Sequence, residues 1–220
     1  MNKLTVYFIR HGTTTMNKQG RFCGSTDALL DPDGWDELRK LKKEYDIPDV
    51  ERVYCSPAIR CRETASVYYP DKEPILKEGL WECDFGKGEK TPAADYAGTD
   101  FFKDWLKQRP DIAFPEGESL LEVSFRALSA MTRIVYECKR DGITTIAVVA
   151  HGIVLARLMD ASLIPKKYAS EFTLSPNGMG LIGTVDMNQW FSSQRIRFKT
   201  FFPKGAPRLK PEDSPYFAKD

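Results

Sequence analysis

Two short apolar runs in this chain stop in the same way. Leu4-Thr-Val-Tyr-Phe-Ile9 ends at Arg10-His11-Gly12, and Ile146-Ala-Val-Val-Ala150 ends at His151-Gly152. The chain has only two histidines, and both occupy this position. Compact runs rich in β-branched and aromatic residues read as buried strands of the kind a parallel sheet needs. Ligands of open parallel sheets bind in the crevice beyond the carboxyl ends of the strands. Both imidazoles are therefore expected in one pocket. Gly12 lets the backbone turn and leaves room for a ligand, and the hydroxyls that follow it suit a helix start. One strand-end His-Gly is commonly no more than a turn; two of two, one preceded by arginine, point to a site.

At 220 residues the length fits one domain with a substantial core. Lys and Arg number 32 against 31 Asp and Glu, a formal charge of +1. That balance argues against a nucleic-acid partner, which calls for a basic face, but permits a local anion pocket. No apolar stretch reaches transmembrane length, and Met-Asn-Lys runs directly into the first strand, so neither a membrane segment nor a signal peptide is expected. Five cysteines, at 23, 55, 61, 83 and 138, show neither disulfide nor zinc spacing. They read as reduced thiols of a cytoplasmic protein.

Taken in order, Asp31-Pro32-Asp33-Gly34 opens a helix through about Tyr45, with aspartate as cap and proline in the first turn. Arg52–Cys55 reads as a strand. Ser56 as N-cap with Pro57 at the first helical position then starts a helix that carries Arg60 in its opening turns. Free N–H groups and the macrodipole there favour an anion. Arg62, two residues on, points away from Arg60. A third strand around 74–77 leads to Glu82, flanked by Trp81 and Phe85. Partial desolvation there would raise its carboxyl pKa and favour the protonated acid, with Asp84 as the competing carboxylate. Phe101, Phe102, Trp105 and Leu106 suit a small helix packed on the core more than a substrate lid. Ser119-Leu-Leu-Glu122 is a capping box for a long helix whose buried stripe is expected at Leu121, Phe125, Leu128, Val135 and Cys138. After the strand ending at Ala150 comes a helix over 153–159, then strands near 179–185 and 196–201. The catalytic unit is expected to span 1–202, with a lid or insert at about 87–117 and an extended tail over 203–220.

Arg10-His11-Gly12-x-Thr14-x-x-Asn17 resembles the signature of the histidine phosphatase, or phosphoglycerate-mutase-like, superfamily. The resemblance continues through Gly20, Gly24, Thr26, Asp27, Leu30 and Gly34, and is complete over Ser56-x-x-x-Arg60-x-x-x-Thr64-Ala65. Leu80-x-Glu82-x-x-x-Gly86 matches the element that carries the family's proton donor, and Pro115-Glu116-Gly117-Glu118-Ser119 is close to its Pro-Gly-Gly-Glu-Ser. The chain departs at Gly86-Lys87-Gly88-Glu89-Lys90, where many members have Gly-x-Trp-Glu-Gly.

The resemblance implies an α/β three-layer sandwich, a mostly parallel central sheet with helices on both faces. It implies that His11 is a nucleophile forming a phosphohistidine, and that Arg10, Arg60 and His151 clamp phosphoryl oxygens, with Asn17 and Gly152 in the same phosphate site. Glu82 would protonate the leaving alcohol and then activate water. Guanidinium forks suit the charge that spreads over phosphoryl oxygens, so neither metal nor cofactor is called for. The expected partner is a small phosphorylated metabolite. Phosphoglycerate mutases usually carry Tyr-Gly-x-Leu-Gln-Gly after the acid, which Phe85-Gly86-Lys87-Gly88 does not reproduce. Hydrolysis of phosphomonoesters is thus favoured over the alternatives, a mutase or a catalytically idle scaffold. The Gly-Arg-Phe-x-Gly…Thr-Asp pattern looks most like α-ribazole phosphatases.

Overall fold

The computed structural model describes residues 2–107, 109–172 and 175–207, without the side chains of 170–172. In chain order the strands are β1 Lys3–Arg10, β2 Arg52–Cys55, β3 Ile75–Leu76, β4 Thr145–Ala150, β5 Leu163–Ile164, β6 Gly180–Asp186 and β7 Ile196–Phe202. The helices are α1 Thr15–Lys18, α2 Pro32–Glu44, α3 Ile59–Tyr68, α4 Asp100–Leu106, α5 Leu120–Asp141, α6 Gly152–Ser162, α7 Lys167–Phe172 and α8 Trp190–Ser193. All seven strands form one sheet in the order β3-β2-β4-β1-β6-β7-β5. β6 alone runs against the other six, so the sheet is mixed but mostly parallel, as the sequence implies.

Side-chain alternation along the central strands builds the three layers. Leu4, Val6 and Phe8 of β1 and Ile146 and Val148 of β4 pack with Val123, Met131 and Leu155 from α5 and α6. Tyr7 and Ile9, with Ala147 and Val149, face the other way onto Leu38 of α2 and Ala65 of α3. Period-two geometry sends neighbouring residues to opposite faces. A strand covered on both faces must therefore be apolar at every position, which is why the two runs look continuous rather than alternating. Each such side chain contributes about 1.5–3 kcal/mol on full burial.

Three details depart from the sequence reading, each for a local reason. Ser56 is not the N-cap of α3, which starts only at Ile59: its hydroxyl accepts from the Ala58 N–H at 3.3 Å and meets His151 Nε2 at 2.8 Å, and the Ile59 N–H is bound by the Asp27 carboxylate at 2.8 Å, from a distant loop. The stripe of α5 runs through Leu120, Val123, Ala127, Ala130, Met131, Ile134, Val135 and Cys138, while Leu121 and Phe125 are exposed. The small residues decide that phase. A Cβ on Gly79 would come within 2.8 Å of the Arg126 carbonyl and 2.9 Å of the Ala130 methyl, so the neighbouring segment closes on this face of α5. The space beside Gly12 is filled by Leu38, whose Cδ1 would lie 2.7 Å from an added Cβ, rather than kept for a ligand. The capping box at Ser119 and Glu122 forms as expected. All five cysteines are unpaired thiols, and no described helix is long and apolar enough to cross a membrane. From residue 208 onward the expected tail lies outside the described residues.

Candidate active site

Parallel pairing of β1 with β4 sets Arg10 level with Ala150, so the next residue of each strand, His11 and His151, emerge side by side. Their ring centroids are 5.1 Å apart. The turn after β1 is held on several sides. The Gly12 N–H donates to Thr64 Oγ1 at 2.9 Å, which gives the threonine of the Ser-x-x-x-Arg-x-x-x-Thr block its structural task. Asn177 Nδ2 donates to the His11 carbonyl at 2.9 Å.

The two imidazoles have opposite tautomers, fixed by the chemistry of their partners. His11 Nδ1 lies 2.7 Å from the Gly12 carbonyl, which can only accept, so Nδ1 carries the proton and Nε2 the lone pair. Arg60 Nε, which can only donate, reaches His151 Nδ1 at 3.2 Å; in the neutral ring Nε2 then carries the proton and donates to Ser56 Oγ at 2.8 Å. Burial, then the charge of Arg60, then that of Arg10, hold His11 well below the ordinary imidazole range. Burial and Arg60, with smaller effects of His11, Arg126 and Arg10, do the same to His151. Both rings are neutral at pH 7.

An open cleft of about 980 Å³ lies over His11. Of the residues singled out from the sequence, Arg10, His11, Asn17, Glu82 and Gly152 line it. Arg10 donates through Nη1 to the Ser175 carbonyl at 3.1 Å, while its buried Nε has no partner among the described residues. Buried donors are nearly always paired, so this one marks a place for an acceptor. Asn17 closes the capping box of α1 through its oxygen, 3.1 Å from the Thr14 N–H, which leaves its amide NH2 for the cleft.

Arg60 and His151, expected to clamp phosphoryl oxygens, are both fully buried and are not among the residues that line this cleft. Besides His151, Arg60 donates to the carbonyls of Thr26 at 2.8 Å, Gly24 at 3.0 Å and Cys23 at 3.3 Å. It thereby ties the 23–26 loop to α3. Arg62 is exposed, on the far side of the helix.

Glu82 is buried beside the cleft, and its carboxyl oxygens accept from the N–H groups of Cys83 at 3.0 Å, Ile153 at 3.1 Å and Val154 at 3.1 Å. The last two are free donors of the first turn of α6, where a carboxyl group is welcome. Asp84 turns away to the Gly86 N–H at 2.8 Å and Ser25 Oγ at 3.2 Å, so the competing carboxylate is not in the cleft. The divergent 86–90 segment has a task of its own: Glu89 accepts from the N–H groups of Gly24 at 3.0 Å and Ser25 at 3.0 Å and from Thr26 Oγ1 at 2.7 Å.

Several contributors carried no signal in the sequence. Arg126, mid-way along α5, donates to the carbonyls of Trp81 and Glu82 and to the Glu118 carboxylate, which fixes the backbone that presents Glu82. Asn177 and Ser175 reach the site from a loop with no motif. Arg21 and Arg157 also line the cleft.

Comparison with known proteins finds relatives over most of the chain. The family model described as Histidine phosphatase superfamily (branch 1) matches residues 6–191. A 2,3-bisphosphoglycerate-dependent phosphoglycerate mutase of Rhizobium etli is 28% identical over 163 residues, 67% of this chain and 75% of its own. An uncharacterized phosphatase, PhoE, of Bacillus subtilis is 25% identical over 158 residues, covering 70% and 75%. The crystal structure of the α-ribazole phosphatase from Shigella flexneri superposes with a TM-score of 0.70 over 94% of this chain and all of that one; at 20% identity it speaks for the fold alone.

Proposed function

The chain belongs to the histidine phosphatase superfamily, and from that premise we propose that it hydrolyses phosphomonoesters of small metabolites through a phosphohistidine on His11. The observation that carries this reading is the His11 tautomer: a neutral ring, Nδ1–H on the Gly12 carbonyl, with the Nε2 lone pair left for the cleft. A histidine so fixed is a competent covalent nucleophile. Nε2 attacks phosphorus, the ester P–O bond breaks, and the departing alkoxide takes a proton from the Glu82 carboxyl group. The Glu82 carboxylate then takes a proton from water, the oxygen attacks phosphorus, and the P–N bond returns its electron pair to Nε2.

Arg10 holds phosphoryl oxygens through its unpaired Nε, joined by the Asn17 amide and the backbone of Gly152. Arg60 and His151 act from behind. Arg60 places fixed positive charge next to the site, holds the neutral His151 by a hydrogen bond and shapes the loop that walls the cleft. Guanidinium donors suit this charge, so activity is expected to survive chelators; loss with EDTA that returns with a divalent ion would show a metal mechanism. The unpaired thiols support a reducing, cytoplasmic setting.

The Rhizobium etli relative supports a second reading, a mutase that returns the phosphoryl group to a substrate hydroxyl. Against it stands Phe85-Gly86-Lys87-Gly88 in place of the block usual in such mutases. Rapid quench with labelled substrate tests both readings. An acid-labile, base-stable adduct that forms in the wild type, is absent in His11→Ala and decays to inorganic phosphate supports the phosphatase. Decay to a second phosphoester supports the mutase, and no adduct or turnover on any phosphomonoester leaves an idle binding protein.

A further inference from the structure

The cleft divides into a polar floor and an apolar wall. Beyond the strand ends it is lined by Phe22, Phe85, Trp105, Leu106, Ile153 and Ala156. The two cations beside this wall are already engaged. Arg157 is ion-paired to Asp160 at 2.9 Å, and Arg21 donates to Gln19 Oε1 at 3.0 Å and the Lys90 carbonyl at 2.7 Å. The cleft thus sets Arg10 beside His11 on its floor and, above it, a surface suited to hydrocarbon with Arg21 and Arg157 beside it.

That surface is held by ring contacts within the protein. The short helix α4 is anchored by buried Phe102, as the sequence suggests, yet its next turn presents Trp105 and Leu106 to the cleft. The Trp105 ring stacks on Phe102 at 5.8 Å and 9°, and stands near edge-on to Phe114 at 5.6 Å and Phe22 at 6.1 Å. Offset and edge-on pairs of this kind hold aromatic rings in fixed orientations. Trp105 Nε1 is buried, so the ring offers the cleft its apolar carbon surface.

We propose that the esters selected here carry a bulky, apolar alcohol portion seated against Trp105, Leu106 and Phe85, and that Trp105 is a specificity-determining residue. This rests on the reading of His11 as the phosphoryl site. Such selection works through desolvation: each methylene that leaves water for the wall raises kcat/KM by about fourfold if fully buried.

The test is a series of unactivated primary esters, ethyl, butyl, hexyl and 2-phenylethyl phosphate, against glycerol 3-phosphate and phosphoserine. Across the alkyl members kcat/KM should rise about two- to fourfold per added carbon, with 2-phenylethyl phosphate at the top and the two polar esters below butyl phosphate. In Trp105→Ala the hexyl-to-ethyl ratio should fall about tenfold, with far-ultraviolet circular dichroism confirming the fold; the wild-type series decides the matter even where that variant does not fold. A flat alkyl series, or a preference for glycerol 3-phosphate or phosphoserine, overturns the proposal. The corresponding alkylphosphonates, whose P–C bond is not cleaved, are titrated by calorimetry in parallel. Affinity that climbs with chain length while no ester turns over would uphold the apolar wall and refute the phosphatase reading. Turnover of esters without chain dependence would do the reverse.

Discussion

The ends of β1 and β4 are nearly the same in sequence and opposite in use. Each is an apolar strand, then His-Gly, then a helix, and the parallel register sets the two side by side. At β1 the following carbonyl, that of Gly12, takes the Nδ1 proton and leaves Nε2 open beside the cleft. At β4, Arg60 occupies Nδ1 and Ser56 faces Nε2, so the ring is sealed behind the cleft. The β4 end contributes differently: the first N–H groups of α6 hold Glu82. A motif therefore brings a histidine to a site, but the partners of its two nitrogens decide what it can do there.

The largest effect that could break this comparison is on His11. His11→Ala should lower turnover by about 10⁴–10⁶, as removal of a covalent nucleophile does, while His151→Gln, whose amide can still accept from Arg60, should cost far less. Equal losses in steady-state assays would make the two ends equivalent and refute the division.

Next is the acid held at the β4 side. Glu82→Gln should slow phosphoenzyme formation from alkyl phosphates by about 10²–10⁴. Nitrophenyl phosphate, whose leaving group needs no proton, should be spared in that step but accumulate phosphoenzyme. Burst kinetics on both substrates read this directly; equal slowing would reassign Glu82 to phosphate positioning.

Arg60→Ala should reduce turnover by about 10²–10³, comparable to losing a preorganised transition-state donor, and Arg62→Ala, on the exposed side of α3, should leave it nearly unchanged. Similar effects would show that the anchoring of His151 and the 23–26 loop does not matter.

The smallest effect concerns stability. Both histidines are buried and neutral, with pKa values well below the ordinary 6.5. The unfolded chain binds protons at these sites near pH 6.5 and the folded chain does not, so their contribution is present above pH 6.5 and lost as pH falls toward the folded values. Urea midpoints should fall between pH 6.5 and 5, with a slope of up to about 2.7 kcal/mol per pH unit for two sites. A flat profile over that window would mean that the rings are not held neutral.

Much of the site was legible because it depends on local rules. Strand-end histidines, the proline-led start of α2 and the Ser119–Glu122 capping box need only neighbours in sequence. What was not legible depends on contacts across the fold. Ser56 keeps a local bond to the Ala58 N–H, but α3 starts beyond it and its hydroxyl also meets His151, 95 residues away. The helix position of Arg60 suits an anion, but its ties to the loop carbonyls of residues 23–26 depend on contacts across the fold that no local rule announces. The phase of α5 does not follow its large residues: Ala130 marks the side on which the Gly79 segment approaches closely. Arg126 and Asn177 belong to no motif and act only through backbone carbonyls.

With only two histidines in the chain, nitrogen-15 NMR of histidine-labelled protein reads both tautomers at once. At pH 7 the structure requires one neutral ring protonated at Nδ1 and one protonated at Nε2, with the first signal lost in His11→Ala. The same tautomer in both rings, a charged ring, or loss of the Nε2–H signal in that variant would contradict the account.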